Sequence, residues 1–164
     1  MKAKQLVLIR HAKSDWADPS LPDRERPLNE RGKRDAPFMA GWLKDIVKGT
    51  DILIASSAKR AQQTAKYFIE KLEPHSAQTS DSLYDADIED IISVIKSISP
   101  SISCAVIVGH NPGLTQAAEY LTSSLLHNIP TCGVVVMNLI VDEWDDVGRG
   151  TASVKVFGKP KELK

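Results

Sequence analysis

Two arginines and two histidines stand out because each closely follows a short apolar segment. Arg10 and His11 come after Gln5 to Ile9; Ser56 and Ser57 come after Ile52 to Ala55, with Arg60 at the start of the next helical pattern; Gly109, His110 and Asn111 come after Cys104 to Val108. Guanidinium groups bind phosphoryl oxygens through forked N–H donors, and imidazoles add further polar contacts. Helix N-termini nearby contribute partial positive charge and unpaired N–H groups. Either histidine alone fits an ordinary structural role. Arg10, His11, Arg60 and His110 gathered at one rim point instead to a shared site that holds a phosphoryl group.

That convergence requires the three segments to be neighbouring strands. They are short and rich in Val, Ile and Leu, as strands buried on both faces are, and Gly133 to Val141 reads the same way. Between them Asn29 to Val47, Lys59 to Leu72, Ile88 to Ile98 and Pro112 to Leu126 carry apolar residues at helical spacing. The alternation predicts a single three-layer α/β domain with a mostly parallel central sheet flanked by helices. In such sheets ligands bind outside the carboxyl ends of the strands, which is where the four residues fall. Ala152 to Phe157 is expected to close the sheet as an edge strand. Asn29 suits an N-cap, as does Asn111 with Pro112 at the first helical position. Pro37 predicts a kink or a fresh helix start inside Asn29 to Val47. Asp15 to Pro27 reads as a polar loop of the same domain, which spans 1–158, with 159–164 as a solvated tail.

The composition bounds the partners. The 164 residues carry 21 Lys and Arg against 21 Asp and Glu, a formal net charge of zero, which argues against broad capture of nucleic acid or an anionic membrane. Hydrophobic residues make up 42% and charged ones 26%, as in a globular domain. Cys104 and Cys132 sit in apolar surroundings and suit buried thiols in a reducing compartment better than a disulfide. No apolar run approaches the length of a membrane span, and the start lacks a secretory pattern, so a cytoplasmic protein is expected. No spacing among the histidines and cysteines resembles a metal-ligand set, and no metal or other cofactor is expected.

Four ordered motifs carry a family resemblance. Leu-Ile-Arg10-His11-Ala12-Lys13-Ser14, Arg26-Pro27-Leu28-Asn29-Glu30-Arg31-Gly32, Ser56-Ser57-Ala58-Lys59-Arg60-Ala61-Gln62-Gln63-Thr64-Ala65 and Val108-Gly109-His110-Asn111-Pro112-Gly113 resemble the histidine phosphatase superfamily, and within it the short SixA-type phosphohistidine phosphatases. The resemblance covers about Gln5 to Gly113 and implies a phosphoglycerate mutase-like fold. It implies that His11 is the nucleophile, that Arg10, Arg60 and a protonated His110 form the phosphate pocket, and that the reaction passes through a phosphohistidine intermediate. The acid expected between the second arginine motif and the second histidine has Asp85 as its nearest match, although that aspartate fits a loop or cap equally well. Ser14 is a further substrate-binding candidate or a loop residue, Trp16 stacks on substrate or pins its loop, and Lys13 and Lys59 draw an anion in or are simply solvated. Ala12 departs from the commoner Arg-His-Gly form.

Short connections between the elements predict a shallow, open site, which suits phosphohistidine carried on a signalling or phosphotransfer protein. A phosphatase for small phosphorylated metabolites shares every one of these residues, and a non-catalytic phosphoprotein-binding module could be built on the same fold.

Overall fold

The structure, a computed structural model, describes residues 3–164. In chain order the elements are β1 (Gln5–Arg10), α1 (Glu30–Lys44), β2 (Ile52–Ser56), α2 (Lys59–Leu72), β3 (Ser76–Ser80), α3 (Ile88–Lys96), β4 (Cys104–Gly109), α4 (Gly113–Thr122), β5 (Val134–Leu139), β6 (Ala152–Gly158) and α5 (Pro160–Leu163). The six strands form one sheet in the order β3-β2-β4-β1-β5-β6. Strands β1 to β4 are parallel, β5 runs antiparallel to β1, and β6 antiparallel to β5. The chain leaves β1 toward β2 on one side of the sheet and leaves β4 toward β5 on the other. A crevice therefore opens above the carboxyl ends of β1 and β4.

Strand periodicity supplies two cores. Leu6, Leu8, Ile52, Ile54, Ala105 and Ile107 face α3 and α4, where Ile91, Ile95, Leu114, Ala118 and the buried Trp144 meet them. Their chain neighbours Val7, Ile9, Leu53, Ala55, Val106 and Val108 face α1 and α2, against Met39, Leu43, Ala65 and Phe68. Each large side chain buried this way contributes about 1.5–3 kcal/mol relative to exposure. Both faces being covered is what made the central strands continuous apolar runs rather than alternating ones.

Four features depart from the sequence-based expectations. β3, Ser-Ala-Gln-Thr-Ser, carried no strand signal, because it is an exposed edge strand paired to β2 on one side, where polar residues cost nothing. α1 runs through Pro37 as one element, although proline has no N–H to offer the Lys33 carbonyl. Asn111 caps from outside α4, its Oδ1 accepting from the Thr115 N–H at 3.0 Å and the Thr115 hydroxyl at 2.8 Å. Residues 159–164 are not simply a solvated tail: Pro160 is buried at the start of α5, and the Lys164 ammonium pairs with the carboxylate of the buried Asp35. A carboxylate removed from water needs such a cationic partner. No helix among the described residues is long and apolar enough to cross a membrane.

Candidate active site

Register brings the motif residues together. Arg10 of β1 lies opposite Gly109 of β4, and Ala55 of β2 opposite Val108, so Arg10, Ser56 and Gly109 end their strands at one level. His11 and His110 follow at once, with ring centroids 5.0 Å apart. Two glycines allow this close assembly. A Cβ on Gly32 would stand 2.3 Å from the Lys13 carbonyl oxygen, so only glycine lets α1 press against the segment after His11. A Cβ on Gly113 would stand 2.3 Å from the Ala86 carbonyl oxygen, which fixes the start of α4 against the turn before α3.

His11 is 8% exposed, and its Nδ1 lies 2.8 Å from the Ala12 carbonyl oxygen. A carbonyl only accepts, so Nδ1 carries the proton and Nε2 keeps its lone pair. Burial pushes the His11 pKa down to about 3 against the opposing pull of the Ala12 bond, and His110, Arg60 and Arg10 lower it further. The ring is thus neutral at physiological pH, as a nucleophile must be. The Ala12 N–H donates to the Thr64 hydroxyl oxygen at 2.9 Å, and that hydroxyl donates to the Arg60 carbonyl at 2.8 Å, tying the segment after His11 to α2. Ala12 is buried and is not among the residues with positive φ, so this position does not require glycine.

The cations come from two directions. Arg10 donates from Nη1 to the Ile129 carbonyl at 3.0 Å, while its Nε is buried without a partner, and burial lowers its pKa. Asn111 Nδ2 donates to the same carbonyl at 2.9 Å. Arg60, buried at the first turn of α2, donates to Asp23 twice: Nη1 to the backbone carbonyl at 2.7 Å and Nη2 to Oδ2 at 3.0 Å. The Tyr84 hydroxyl donates to the same Oδ2 at 2.7 Å, which with Arg60 holds Asp23 below the usual carboxylate range.

His110 is 7% exposed, with Nε2 2.8 Å from the Ser56 hydroxyl and Nδ1 buried without a partner. Burial, then Arg60, lowers its pKa to about 4, against the opposing charges of Asp23 and Asp85. The expectation of a protonated His110 is therefore corrected: desolvation beside two arginines favours the neutral ring.

The remaining candidates lie further out. Asp85 is exposed, sits at φ 52°, and makes no side-chain hydrogen bond among the described residues; it reaches the site only through its charge on His110 and Tyr84. Ser14 is buried, but its hydroxyl accepts the Trp16 indole N–H at 3.0 Å, which is a loop-holding contact. Trp16 is 60% exposed with the Arg26 guanidinium 3.9 Å above its ring, so its loop is pinned by that stack. Lys13 and Lys59 are exposed. Sequence reasoning missed Asp23, Tyr84 and Arg24, whose guanidinium bonds the Ser57 hydroxyl and the Asp81 carboxylate across the site. Nothing in their local spacing marked them, because Asp23 meets Arg60 and Tyr84, and Arg24 meets Tyr84, only through the fold.

The profile of the histidine phosphatase superfamily (branch 1) matches residues 6–93. A relative from Mycobacterium tuberculosis (strain ATCC 25618 / H37Rv), itself uncharacterised, is 30% identical over 164 residues, covering 93% of this chain and all of its own length. A solved structure named for the phosphohistidine phosphatase SixA from Agrobacterium tumefaciens is 26% identical with a TM-score of 0.82, covering 96% of this chain and 98% of that one. Another, named for SixA from Nakamurella multipartitia, has a TM-score of 0.87 at 23% identity and covers 98% of both chains. The fold is the phosphoglycerate mutase-like one.

Proposed function

This chain belongs to the histidine phosphatase superfamily, and we propose that it is a phosphohistidine phosphatase that works through a covalent intermediate on His11. One observation carries the reading: a buried, neutral His11 whose Nδ1–H is committed to the Ala12 carbonyl, leaving Nε2 as the free nucleophilic atom beside Arg10, Arg60 and His110. In the first step Nε2 forms a bond to phosphorus as the bond from phosphorus to the substrate nitrogen breaks. The departing imidazole takes the electron pair and arrives protonated or draws a proton from water. Positive charge on the phosphorylated His11 ring is spread toward the Ala12 carbonyl through the retained Nδ1–H. In the second step water attacks phosphorus, the Nε2–P bond breaks, and inorganic phosphate leaves with His11 restored. Arg10 and Arg60 supply N–H donors to the equatorial oxygens, where negative charge concentrates in the transition state.

The substrate class follows from what could protonate a leaving group. Asp23 is held as a carboxylate and Asp85 is exposed, so neither offers a buried, protonated acid. An alkoxide leaving group needs such an acid; a protonated imidazole does not. The connections from β2 to α2 and from β4 to α4 are short and add no wall of their own, which favours phosphohistidine on a protein surface although the longer segment 11–29 borders the rim, and the name of the Agrobacterium tumefaciens structure agrees. Acid quench of the protein mixed with a labelled phosphohistidine protein should trap acid-labile, base-stable label on His11 that turns over. A small aryl phosphate run in parallel should be slower. Failure to trap label with either, while phosphate still binds, would leave a binding module.

A further inference from the structure

Ser56 is the last residue of β2 and is fully buried, and its hydroxyl is the partner of His110 Nε2 at 2.8 Å. The same hydroxyl oxygen accepts the Ala58 N–H at 3.3 Å. A serine hydroxyl has one proton, and among the described residues its only other hydrogen-bond partner is that imidazole. If Nε2 carried the ring proton, the hydroxyl proton would be buried without an acceptor among the described residues, which is costly in a dry site. If the hydroxyl donates to Nε2, both groups are satisfied, and the neutral ring must carry its proton on Nδ1. That nitrogen is buried and has no hydrogen-bond partner among the described residues. It belongs to a ring that lies 5.0 Å from the nucleophilic one.

We infer that Ser56 is a positioning residue that sets the tautomer of His110, so that a neutral ring presents Nδ1–H as a hydrogen-bond donor to the bound phosphoryl group. This rests on the reading that the pocket takes a phosphoryl group. Both histidines then hold their proton on Nδ1 for opposite purposes. The Ala12 carbonyl accepts the His11 Nδ1–H and leaves a lone pair at Nε2, whereas the Ser56 hydroxyl donates to the His110 Nε2 lone pair and leaves an N–H at Nδ1. Free histidine in water favours the proton on Nε2, so each tautomer needs a fixed partner, and each has one. Without Ser56, His110 would turn a lone pair toward phosphoryl oxygens and repel them.

Nitrogen-15 NMR of the ring nitrogens of His110, in the labelled full chain at pH 7.5, tests this without turnover. Wild type should show Nδ1 at the protonated shift and Nε2 at the lone-pair shift. Ser56→Ala should move the proton wholly or partly to Nε2, and Ser56→Thr should restore the wild-type pattern. Vanadate binding should weaken about tenfold in Ser56→Ala, and the same substitution should add nothing in a His110→Ala background. A wild-type protein with the proton on Nε2 overturns the inference, as does an equal loss of vanadate affinity with His110 already gone. Should Ser56→Ala fail to fold, the wild-type and Ser56→Thr spectra still decide the tautomer. A protein with the Nδ1–H tautomer that binds vanadate yet traps no label would defeat the phosphatase reading and leave the Ser56 assignment standing.

Discussion

The floor of the pocket and its rim are held by different physics. On the floor, His11, Ser56 and His110 sit at strand ends, almost wholly buried, and their side chains bond backbone groups or one another. At the rim, the half-exposed Arg24 bridges the half-buried Ser57 and the exposed Asp81 and lies 4.9 Å over the Tyr84 ring. Contacts of that kind are screened by water and contribute little. Arg60 belongs to both regions, buried itself but paired with the half-exposed Asp23. On the proposed function the difference divides chemistry from selectivity: low dielectric shifts the histidines and would strengthen phosphoryl contacts, while weak, wet contacts would let the rim adapt to a macromolecular partner.

If the floor carries the chemistry, His11→Ala should have the largest effect. Trapped phosphoenzyme should vanish and turnover fall by at least about a thousandfold, with circular dichroism unchanged. A rim substitution that matched this loss would erase the distinction. Arg60→Ala should come next, lowering kcat/KM about a hundredfold and weakening vanadate inhibition, as expected for loss of a preorganised transition-state donor. Undiminished inhibition would place Arg60 with the rim alone.

The floor also has a pH signature. The pKa of His11 lies at about 3 and that of His110 at about 4, both below the 6.5 of an exposed imidazole. Between these values the unfolded chain binds more protons than the folded one, so stability falls as pH drops from about 6.5 toward 4 and gains nothing from these groups above neutrality. Urea midpoints across that range should decline on acidification, and His11→Ala should flatten the decline. A midpoint that rises on acidification would contradict the buried neutral pair.

The floor was legible in the sequence because its residues directly follow apolar strands, and a parallel sheet brings such positions to one edge. Arg10, His11 and His110 are found there on that logic alone, and Arg60 follows from its place at the start of α2. The Gly32 and Gly113 contacts and the Thr64 bond to Ala12 give physical reasons for three further motif residues. The rim was not legible. Asp23 and Tyr84 are separated by 61 residues and meet through one hydrogen bond, which no local periodicity encodes. β3 escaped because an edge strand needs no apolar face, and the protonation state of His110 escaped because burial beside two arginines is a property of the packed site.

Asp23 sharpens the boundary, because its carboxylate is an anion already seated on Arg60. Asp23→Asn keeps an oxygen for the Tyr84 hydroxyl and removes the charge that repels an incoming phosphoryl group. Vanadate and phosphate should bind several-fold more tightly, an effect of about 1 kcal/mol or less given the exposure of the pair. The change should shrink in high salt, as screened electrostatics do. Weaker binding would mean instead that Asp23 aims Arg60, and the floor would then extend outward to include it.

The smallest effect belongs to Asp85. Its exposure and the absence of a side-chain hydrogen bond leave only a long-range charge to act on His110 and Tyr84, and water reduces such a charge most. With a phosphohistidine substrate, Asp85→Asn should change turnover by less than about threefold, since the leaving imidazole needs no dedicated acid. With an aryl or alkyl phosphate the loss should be larger, because the oxygen leaving group draws on any proton source at the rim. Equal losses on both substrates would defeat the split. A hundredfold loss on phosphohistidine would do more: it would show that Asp85 closes onto the site when substrate binds, and that the rim, not only the floor, takes part in the proton transfer.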